Sequence, residues 1–283
     1  MSKRLLTTVQ TPVMLGADRL EEEMSMGRHD LSGRAALVTG GAGGLGAEMA
    51  AALAEAGAAV VIADVREDQG RATADALKQT GAAAVFVRLD VTDDASWERA
   101  VGETIAELGG LDIVVANAGV EISGLIADLD PAGLRRMLDV NVLGTALAVK
   151  HAFRAMRPGG PAGKGGAVVT VASVDTTVGG AGYSATKSAV DRLTRVAALE
   201  AGKLGYDVRV NCLYPGPGPT GTGPRPALGE VTDLAGAVVF LASDAARFVT
   251  GAGLPVDGDL GPVTAEPVAG AGASPGFAPP GSA

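Results

Sequence analysis

The sequence predicts an α/β fold, a doubly wound parallel sheet of about seven strands in one domain. Short apolar runs alternate with longer amphipathic segments over residues 31–260. The apolar runs are continuous, which is typical of parallel strands that are buried on both faces. The sequence shows no internal repeat, so a solenoid of stacked repeats is not expected. These observations favour strands and helices in alternation.

The strands are predicted from the apolar runs, in chain order, at 35–39, 59–63, 84–88, 112–116, 167–172, 208–213 and near 254–256. Helices are predicted from the amphipathic segments between them, near 45–57, 67–80, 94–108, 131–157, 183–204 and 232–243. A helix between consecutive strands returns the chain to the same end of the sheet, so the strands are expected to run parallel.

Both ends of the chain differ in composition from this central domain. Residues 1–30 form a leader without strong periodicity, in which Met24 or Met26 is an alternative start. Residues 261–283 are almost entirely Gly, Ala, Pro, Ser and Val. Such a segment cannot bury enough apolar surface to offset the entropy lost on ordering, so a disordered tail is predicted.

Composition argues against several classes of function. The net charge of −9 repels the phosphate backbone of nucleic acid, so no nucleic-acid partner is expected. No apolar run approaches the roughly 20 residues of a membrane-spanning helix, so no membrane association is expected. The N-terminal segment turns acidic at Glu21 and does not resemble a secretory signal. Cys212 is the only cysteine, which makes an intrachain disulfide impossible and favours a reduced, cytoplasmic location.

A glycine-rich turn joins the first predicted strand to the first helix, with the sequence Thr39-Gly40-Gly41-Ala42-Gly43-Gly44-Leu45-Gly46. Glycine tolerates positive φ and leaves the backbone unobstructed by Cβ atoms. The helix that follows aims free N–H groups and its positive dipole end at an anion. Glycine clusters also occur in ordinary turns, but this strand–turn–helix order predicts a Rossmann-like dinucleotide site. The residues expected to bind the cofactor here are Gly40, Gly44, Leu45 and Gly46.

Asp64 ends the second predicted strand, 18 residues after Gly46. An acidic side chain at this place can accept hydrogen bonds from the adenosine ribose hydroxyls and repels a 2′-phosphate, so NAD is predicted in preference to NADP. Gly43 is not a Lys or Arg, which removes one common phosphate clamp. Arg66 lies nearby and keeps NADP as an alternative, and Asp64 could instead be the N-cap of the following helix.

Three motifs in order along the chain carry a family resemblance. They are the glycine turn, then Asn117-Ala118-Gly119 after the fourth strand, and then Tyr183-Ser184-Ala185-Thr186-Lys187. With these motifs, residues 31–260 resemble the short-chain dehydrogenase/reductase family. The resemblance implies an oxidoreductase that transfers a hydride between NAD(H) and a secondary alcohol or ketone. It also implies a homodimer or homotetramer formed through the helices near 131–157 and 183–204.

The chemistry explains why these residue types are needed. Oxidation of an alcohol requires removal of its hydroxyl proton, and a free tyrosine with a pKa near 10 is a poor base at neutral pH. The ammonium of Lys187, one helical turn from Tyr183, favours the phenolate and lowers that pKa. By resemblance, Lys187 also holds the nicotinamide ribose, and Ser173 hydrogen-bonds the substrate oxygen. Asn141 resembles the residue that links Lys187 to a proton relay through a water, although an ordinary helix asparagine is an alternative.

The resemblance assigns further residues to the cofactor. They are Asp90, Val91, Asn117, Gly119, Pro215, Gly216 and Thr220, in addition to Tyr183 and Lys187. Asp90 and Val91 match a pair that contacts adenine, and Thr220 matches a threonine that contacts the nicotinamide amide. Asn117 borders the cofactor in this pattern, but it could instead only brace the central strands. No metal is predicted.

Two departures from the family pattern bear on activity. Ser173 precedes Tyr183 by only ten residues, a few fewer than is usual, so Thr176 or Thr177 is an alternative donor to the substrate. Residues 217–230 are rich in Gly and Pro, which predicts an open loop in place of a helical substrate lid. Both departures support an alternative function, a non-catalytic NAD(H)-binding sensor or assembly protein on the same fold.

The sequence says little about the substrate. Glu121, Asp175 and Tyr214 are expected near the pocket, and an apolar or steroid-like alcohol is the class considered. Cys212 lies on an apolar strand and is expected to be packed core rather than a reactive thiol.

Overall fold

Seven strands form one parallel sheet in the order β3-β2-β1-β4-β5-β6-β7, which confirms the predicted fold class. The structure is a computed structural model and describes residues 28–174, 179–216 and 231–257. The strands are β1 (Ala35–Thr39), β2 (Ala59–Asp64), β3 (Ala84–Arg88), β4 (Ile113–Ala116), β5 (Gly166–Val171), β6 (Val208–Pro215) and β7 (Gly253–Val256).

Helices cover both faces of the sheet. They are α1 (Gly44–Glu55), α2 (Glu67–Gln79), α3 (Asp94–Leu108), α4 (Pro131–Met137), α5 (Gly144–Met156), α6 (Ala181–Leu204) and α7 (Val231–Ala242). Short 3₁₀ turns lie at Ile126–Asp128 and Asp244–Ala246. In the part of the chain that the structure describes, we find no helix with the length and apolarity that crossing a bilayer requires.

The sheet separates two apolar layers. Leu37 of β1 packs into the layer formed with α3, α5 and α6, whereas its neighbour Val38 packs into the layer formed with α1, α2 and α7. Successive strand residues point to opposite faces, so a strand buried on both faces is apolar at every position. All five residues of β1 are buried. This burial explains why continuous apolar runs mark the strands in the sequence.

The predicted single helix over 131–157 is wrong in its middle. Leu138–Leu143 forms a π-helical segment between α4 and α5. Asn141 lies in this segment, and its buried side chain bonds outside the helix, to the backbone of Val120. Wider π turns inside helices often occur at functional sites. Other boundaries shift by one or two residues, which is usual for helix and strand ends.

The crevice of the sheet opens between β1 and β4. These strands are neighbours, but the chain leaves them toward opposite sides, since β2 lies beyond β1 and β5 beyond β4. Open α/β sheets bind ligands at such a switch point, at the carboxyl ends of the strands. The glycine turn follows β1, and Asn117 follows β4, so both predicted cofactor motifs lie at this crevice.

Several predicted features lie outside the described residues. They are most of the leader, the tail, the loop over 217–230 with Thr220, and Asp175, Thr176 and Thr177.

Candidate active site

The glycine turn has a shape that only small residues allow. Gly40 and Gly44 have φ of +66° and +57°, a region that L side chains rarely adopt. A Cβ on Gly46 would lie 2.3 Å from the carbonyl oxygen of Gly40, so α1 packs directly against the turn. The N-cap of α1 is Gly43, and no described side chain caps the helix. Its first N–H groups therefore remain available to an anion, which fits a dinucleotide pyrophosphate.

Two residues at the ends of β1 and β4 hold the crevice together. The hydroxyl of Thr39 accepts the N–H groups of Asn117 and Ala118, each at 3.0 Å. The side-chain amide of Asn117 donates to the carbonyl oxygen of Thr39 at 2.9 Å. Asn117 thus braces the central strands, which was one of its two predicted roles. Sequence reasoning missed the role of Thr39, whose position as the last residue of β1 was the available signal.

Asp64 is buried at the end of β2, at the carboxyl edge of the sheet. Its carboxylate accepts the N–H of Ala42 at 3.2 Å and the N–H of Arg66 at 3.0 Å. The guanidinium of Arg66 adds two more hydrogen bonds, at 3.1 and 3.0 Å. Burial alone raises the pKa of Asp64, but the hydrogen bonds from Arg66 and Ala42 outweigh it, so the pKa lies below its usual value. The N-cap of α2 is Arg66, so the alternative of Asp64 as that N-cap is wrong.

Asp90 and Val91 follow β3 at the same edge of the sheet. The Asp90 carboxylate accepts the N–H and the hydroxyl of Thr92, at 3.0 and 2.7 Å, and these bonds lower its pKa. Val91 is buried, and its carbonyl oxygen accepts the indole N–H of Trp97 at 3.0 Å. Both residues are thus fixed in place, and their contact with adenine stays a prediction.

Lys187 and Tyr183 lie one turn apart near the start of α6. The side chain of Lys187 is buried, and its Nζ donates to the carbonyl oxygen of Val171 at 2.8 Å. The same Nζ lies 5.6 Å from the ring centroid of Tyr183. Burial lowers the pKa of Lys187 to about 8, because an ammonium is less stable away from water. The structure therefore brings the predicted acid–base pair together at the end of β5.

Asn141 reaches the same place from the π-helical segment. Its amide nitrogen donates to the hydroxyl of Thr186 at 3.0 Å, and Thr186 in turn donates to the carbonyl oxygen of Tyr183 at 2.7 Å. A Cβ on Gly119 would lie 3.3 Å from Oδ1 of Asn141 and 3.4 Å from Nζ of Lys187. Glycine at position 119 thus leaves these groups room to converge. Thr186 was missed from the sequence, and its fully buried hydroxyl is the feature that identifies it.

Three strand ends meet at this edge. Ser173 follows β5 and is half-buried, and the N–H of Val174 donates to the carbonyl oxygen of Pro215 at 3.4 Å. The N–H of Gly216 donates to the carbonyl oxygen of Val256 at 3.0 Å. Ser173, Pro215 and Gly216 therefore lie at the same edge of the sheet as the glycine turn, as parallel strands require.

The structure gives different surroundings to Glu121 and Tyr214, the two described residues that are expected near the pocket. Glu121 is exposed, and its charge acts to raise the pKa of Lys187, although burial has the larger opposite effect. Tyr214 instead donates its hydroxyl to the carboxylate of Asp191, which lies two turns beyond Tyr183 on α6. Burial and this hydrogen bond raise the pKa of Tyr214 to about 12. The place of Tyr214 near the pocket stays a prediction. Cys212 is fully buried, as predicted.

The arrangement was compared with known proteins. Residues 34–225 match the family model of the short chain dehydrogenases. The chain is 42% identical over 244 residues to a cis-4-hydroxycyclohexanecarboxylate dehydrogenase of Sinomonas cyclohexanicum, a match that covers 80% of this chain and 95% of that protein. It is 38% identical over 241 residues to a 3-alpha-(or 20-beta)-hydroxysteroid dehydrogenase of Mycobacterium bovis, covering 81% and 89%.

A solved structure agrees with these relatives. The short-chain type dehydrogenase/reductase of Mycobacterium marinum superposes with a TM-score of 0.73 at 32% identity, covering 80% of this chain and 94% of that one. Sequence, motif placement and fold therefore lead to one conclusion. The chain belongs to the short-chain dehydrogenase family.

Proposed function

We propose that this dehydrogenase transfers a hydride between NAD(H) and a secondary alcohol or ketone, with Tyr183 as its acid–base residue. Membership of the short-chain dehydrogenase family implies hydride transfer on alcohols with a nicotinamide cofactor. The observation that supports this site best is the buried Lys187, whose Nζ lies 5.6 Å from the Tyr183 ring beside the crevice. The buried carboxylate of Asp64 supports NAD over NADP, because a 2′-phosphate would face a negative charge.

Each site residue of this chain has a separate part in the transfer of the hydroxyl proton. A nicotinamide dinucleotide held by the glycine turn and Lys187 would supply the acceptor for the hydride of the alcohol carbon, or its donor to the ketone. Tyr183 takes the hydroxyl proton in the oxidation, and the positive charge of Lys187 favours the phenolate that does so. Ser173 donates a hydrogen bond to the substrate oxygen and orients it. The proton then leaves Tyr183 by way of Lys187, whose ammonium releases one of its own protons as it receives this one, toward the side where Asn141 lies beside Gly119.

The segment between β4 and α4 supports a substrate with a large apolar surface. Ile122, Leu125 and Ile126 expose 39%, 47% and 70% of their surface there. The N–H of Gly124 donates to the carbonyl oxygen of Gly179 at 2.8 Å, which holds this segment beside the start of α6. The two relatives are named for a hydroxycyclohexanecarboxylate and a hydroxysteroid. We therefore propose an alicyclic secondary alcohol as the substrate class.

Titration with NADH and NADPH, followed by thermal unfolding, tests the cofactor without a choice of substrate. A ligand at 100 times its Kd stabilises a protein by about 2.7 kcal/mol, so a bound nucleotide should raise Tm measurably. We expect a larger rise with NADH than with NADPH at equal concentration. A larger rise with NADPH would contradict the assignment of Asp64, and no rise with either would contradict the dehydrogenase assignment.

We further propose a homodimer or homotetramer formed through α5 and α6. Val196 and Leu199 of α6 expose 51% and 59% of their surface, and a groove between the two helices lies beside them. Light scattering is expected to give the mass of a dimer or tetramer. Replacing both residues by glutamate should yield monomers, because like charges would then meet across the interface. Wild-type protein that is monomeric over the whole concentration range would contradict this proposal.

A further inference from the structure

An exposed carboxylate lies close to the proposed acid–base pair. Glu121 is exposed and follows Gly119 by two positions. A Cβ on Gly119 would lie 3.4 Å from Nζ of Lys187. Because two extended residues span at most about 7 Å, the backbone of Glu121 lies within about that distance of Gly119. Glu121 is therefore near the site, although no step of the proposed proton transfer uses it.

The backbone on both sides of Glu121 is held by neighbouring elements. Before it, the side-chain oxygen of Asn141 accepts the N–H of Val120 at 2.8 Å, and the side-chain nitrogen donates to the carbonyl oxygen of Val120 at 2.9 Å. After it, the N–H of Ile122 donates to the sulfur of Met137 at 3.4 Å. The carboxylate of Glu121 is thus attached to a part of the chain that the π-helical segment and α4 hold in place.

The negative charge of Glu121 acts on the site. Burial lowers the pKa of Lys187, and the charge of Glu121 acts on that pKa in the opposite direction. The carboxylate accepts the hydroxyl of Ser123 at 3.3 Å, a neutral donor. The ion pairs among the described residues do not include Glu121. A substrate in the crevice would therefore meet a carboxylate whose charge no described ion pair neutralises.

An anionic substrate would bring a second negative charge to this place. The exposed apolar side chains of Ile122, Leu125 and Ile126 follow Glu121 directly, so a ring that packs on them would lie beside the carboxylate. Like charges repel, and more strongly where a bound ring displaces water. We propose that Glu121 is a substrate-specificity residue that disfavours ring alcohols bearing a carboxylate and leaves neutral or cationic ring alcohols as the substrate class. This inference rests on the proposed function.

The test compares two ring alcohols of similar shape and different charge, 4-hydroxycyclohexanecarboxylate and 4-hydroxycyclohexanecarboxamide. Their kcat/KM values are measured with the wild type, Glu121→Gln and Glu103→Gln. The ratio of the amide value to the carboxylate value should fall about fivefold in Glu121→Gln, which corresponds to about 1 kcal/mol. The ratio cancels any effect on Lys187, because both alcohols use the same acid–base pair. Glu103 is an exposed glutamate of α3, so Glu103→Gln loses the same charge at another element and should leave the ratio unchanged.

Ionic strength gives a second measure of the same charge. The Debye length falls from about 10 Å at 0.1 M salt to about 3 Å at 1 M, so high salt should lower the ratio in the wild type and change it little in Glu121→Gln. A wild type that prefers the carboxylate, an unchanged ratio in Glu121→Gln, or an equal fall in Glu103→Gln would overturn the inference and leave the proposed dehydrogenase intact. A wild type that oxidises no ring alcohol would overturn both.

Discussion

Tyr183→Phe is expected to lower kcat for an alicyclic secondary alcohol by about a thousandfold, with the Kd of NADH changed by no more than about twofold. The substitution removes only the phenolic oxygen, so the ring that lies near Nζ of Lys187 is kept. Without that oxygen, the site loses the group that we propose to accept the hydroxyl proton as the hydride leaves. Steady-state kinetics and a parallel NADH titration measure the two effects separately.

Tyr206→Phe is the control for the loss of a tyrosine hydroxyl. Tyr206 follows α6, and its ring packs against Phe153 at a centroid distance of 5.4 Å, remote from the strand ends of the site. Its turnover should equal that of the wild type. Turnover retained in Tyr183→Phe would mean that another group carries the proton. A wild type that binds NADH but oxidises no alcohol in a panel of ring and chain alcohols would favour the non-catalytic sensor.

The features that were predictable from the sequence are those that depend on local spacing. Strands buried on both faces are apolar at every position, as in β1, so their order along the chain was visible. The glycine turn and the Tyr183–Lys187 pair each lie within a few residues, and their geometry follows from a turn or from one helical turn. The positions of these motifs at strand ends then placed them at one edge of the sheet.

The features that were not predictable depend on partners far apart in the chain. Thr39 bonds residues 78 and 79 positions away, and Asn141 bonds Val120 and Thr186 from a π-helical segment that the apolar pattern did not reveal. The ion pair between Asp64 and Arg66 was also missed, although the two residues are only two positions apart. Proximity in sequence shows that two charged side chains can form an ion pair. It does not show that the guanidinium donates to both oxygens of the carboxylate.

Gly46→Ala is expected to abolish the NADH-dependent rise in Tm and to lower the free energy of unfolding by about 1–3 kcal/mol. The new Cβ would lie 2.3 Å from the carbonyl oxygen of Gly40 and 2.6 Å from Nδ2 of Asn117. Neither neighbour can easily move, since Gly40 is held in a positive-φ turn and Asn117 is bonded to Thr39. Relief of the contact must therefore shift α1 away from β1, which widens the turn that is proposed to receive the pyrophosphate.

Gly102→Ala separates this steric effect from helix propensity. Gly102 lies inside α3, and a Cβ there would have no atom within 4 Å. Alanine in place of glycine within a helix stabilises by about 0.5–1 kcal/mol, so Gly102→Ala should raise Tm slightly and leave NADH binding unchanged. Denaturant unfolding measures the free energy of unfolding of both variants, and the difference between the two values is due to the contact between α1 and the turn. Equal stability and equal NADH binding in the two variants would show that the turn tolerates a Cβ and does not need the close approach of α1.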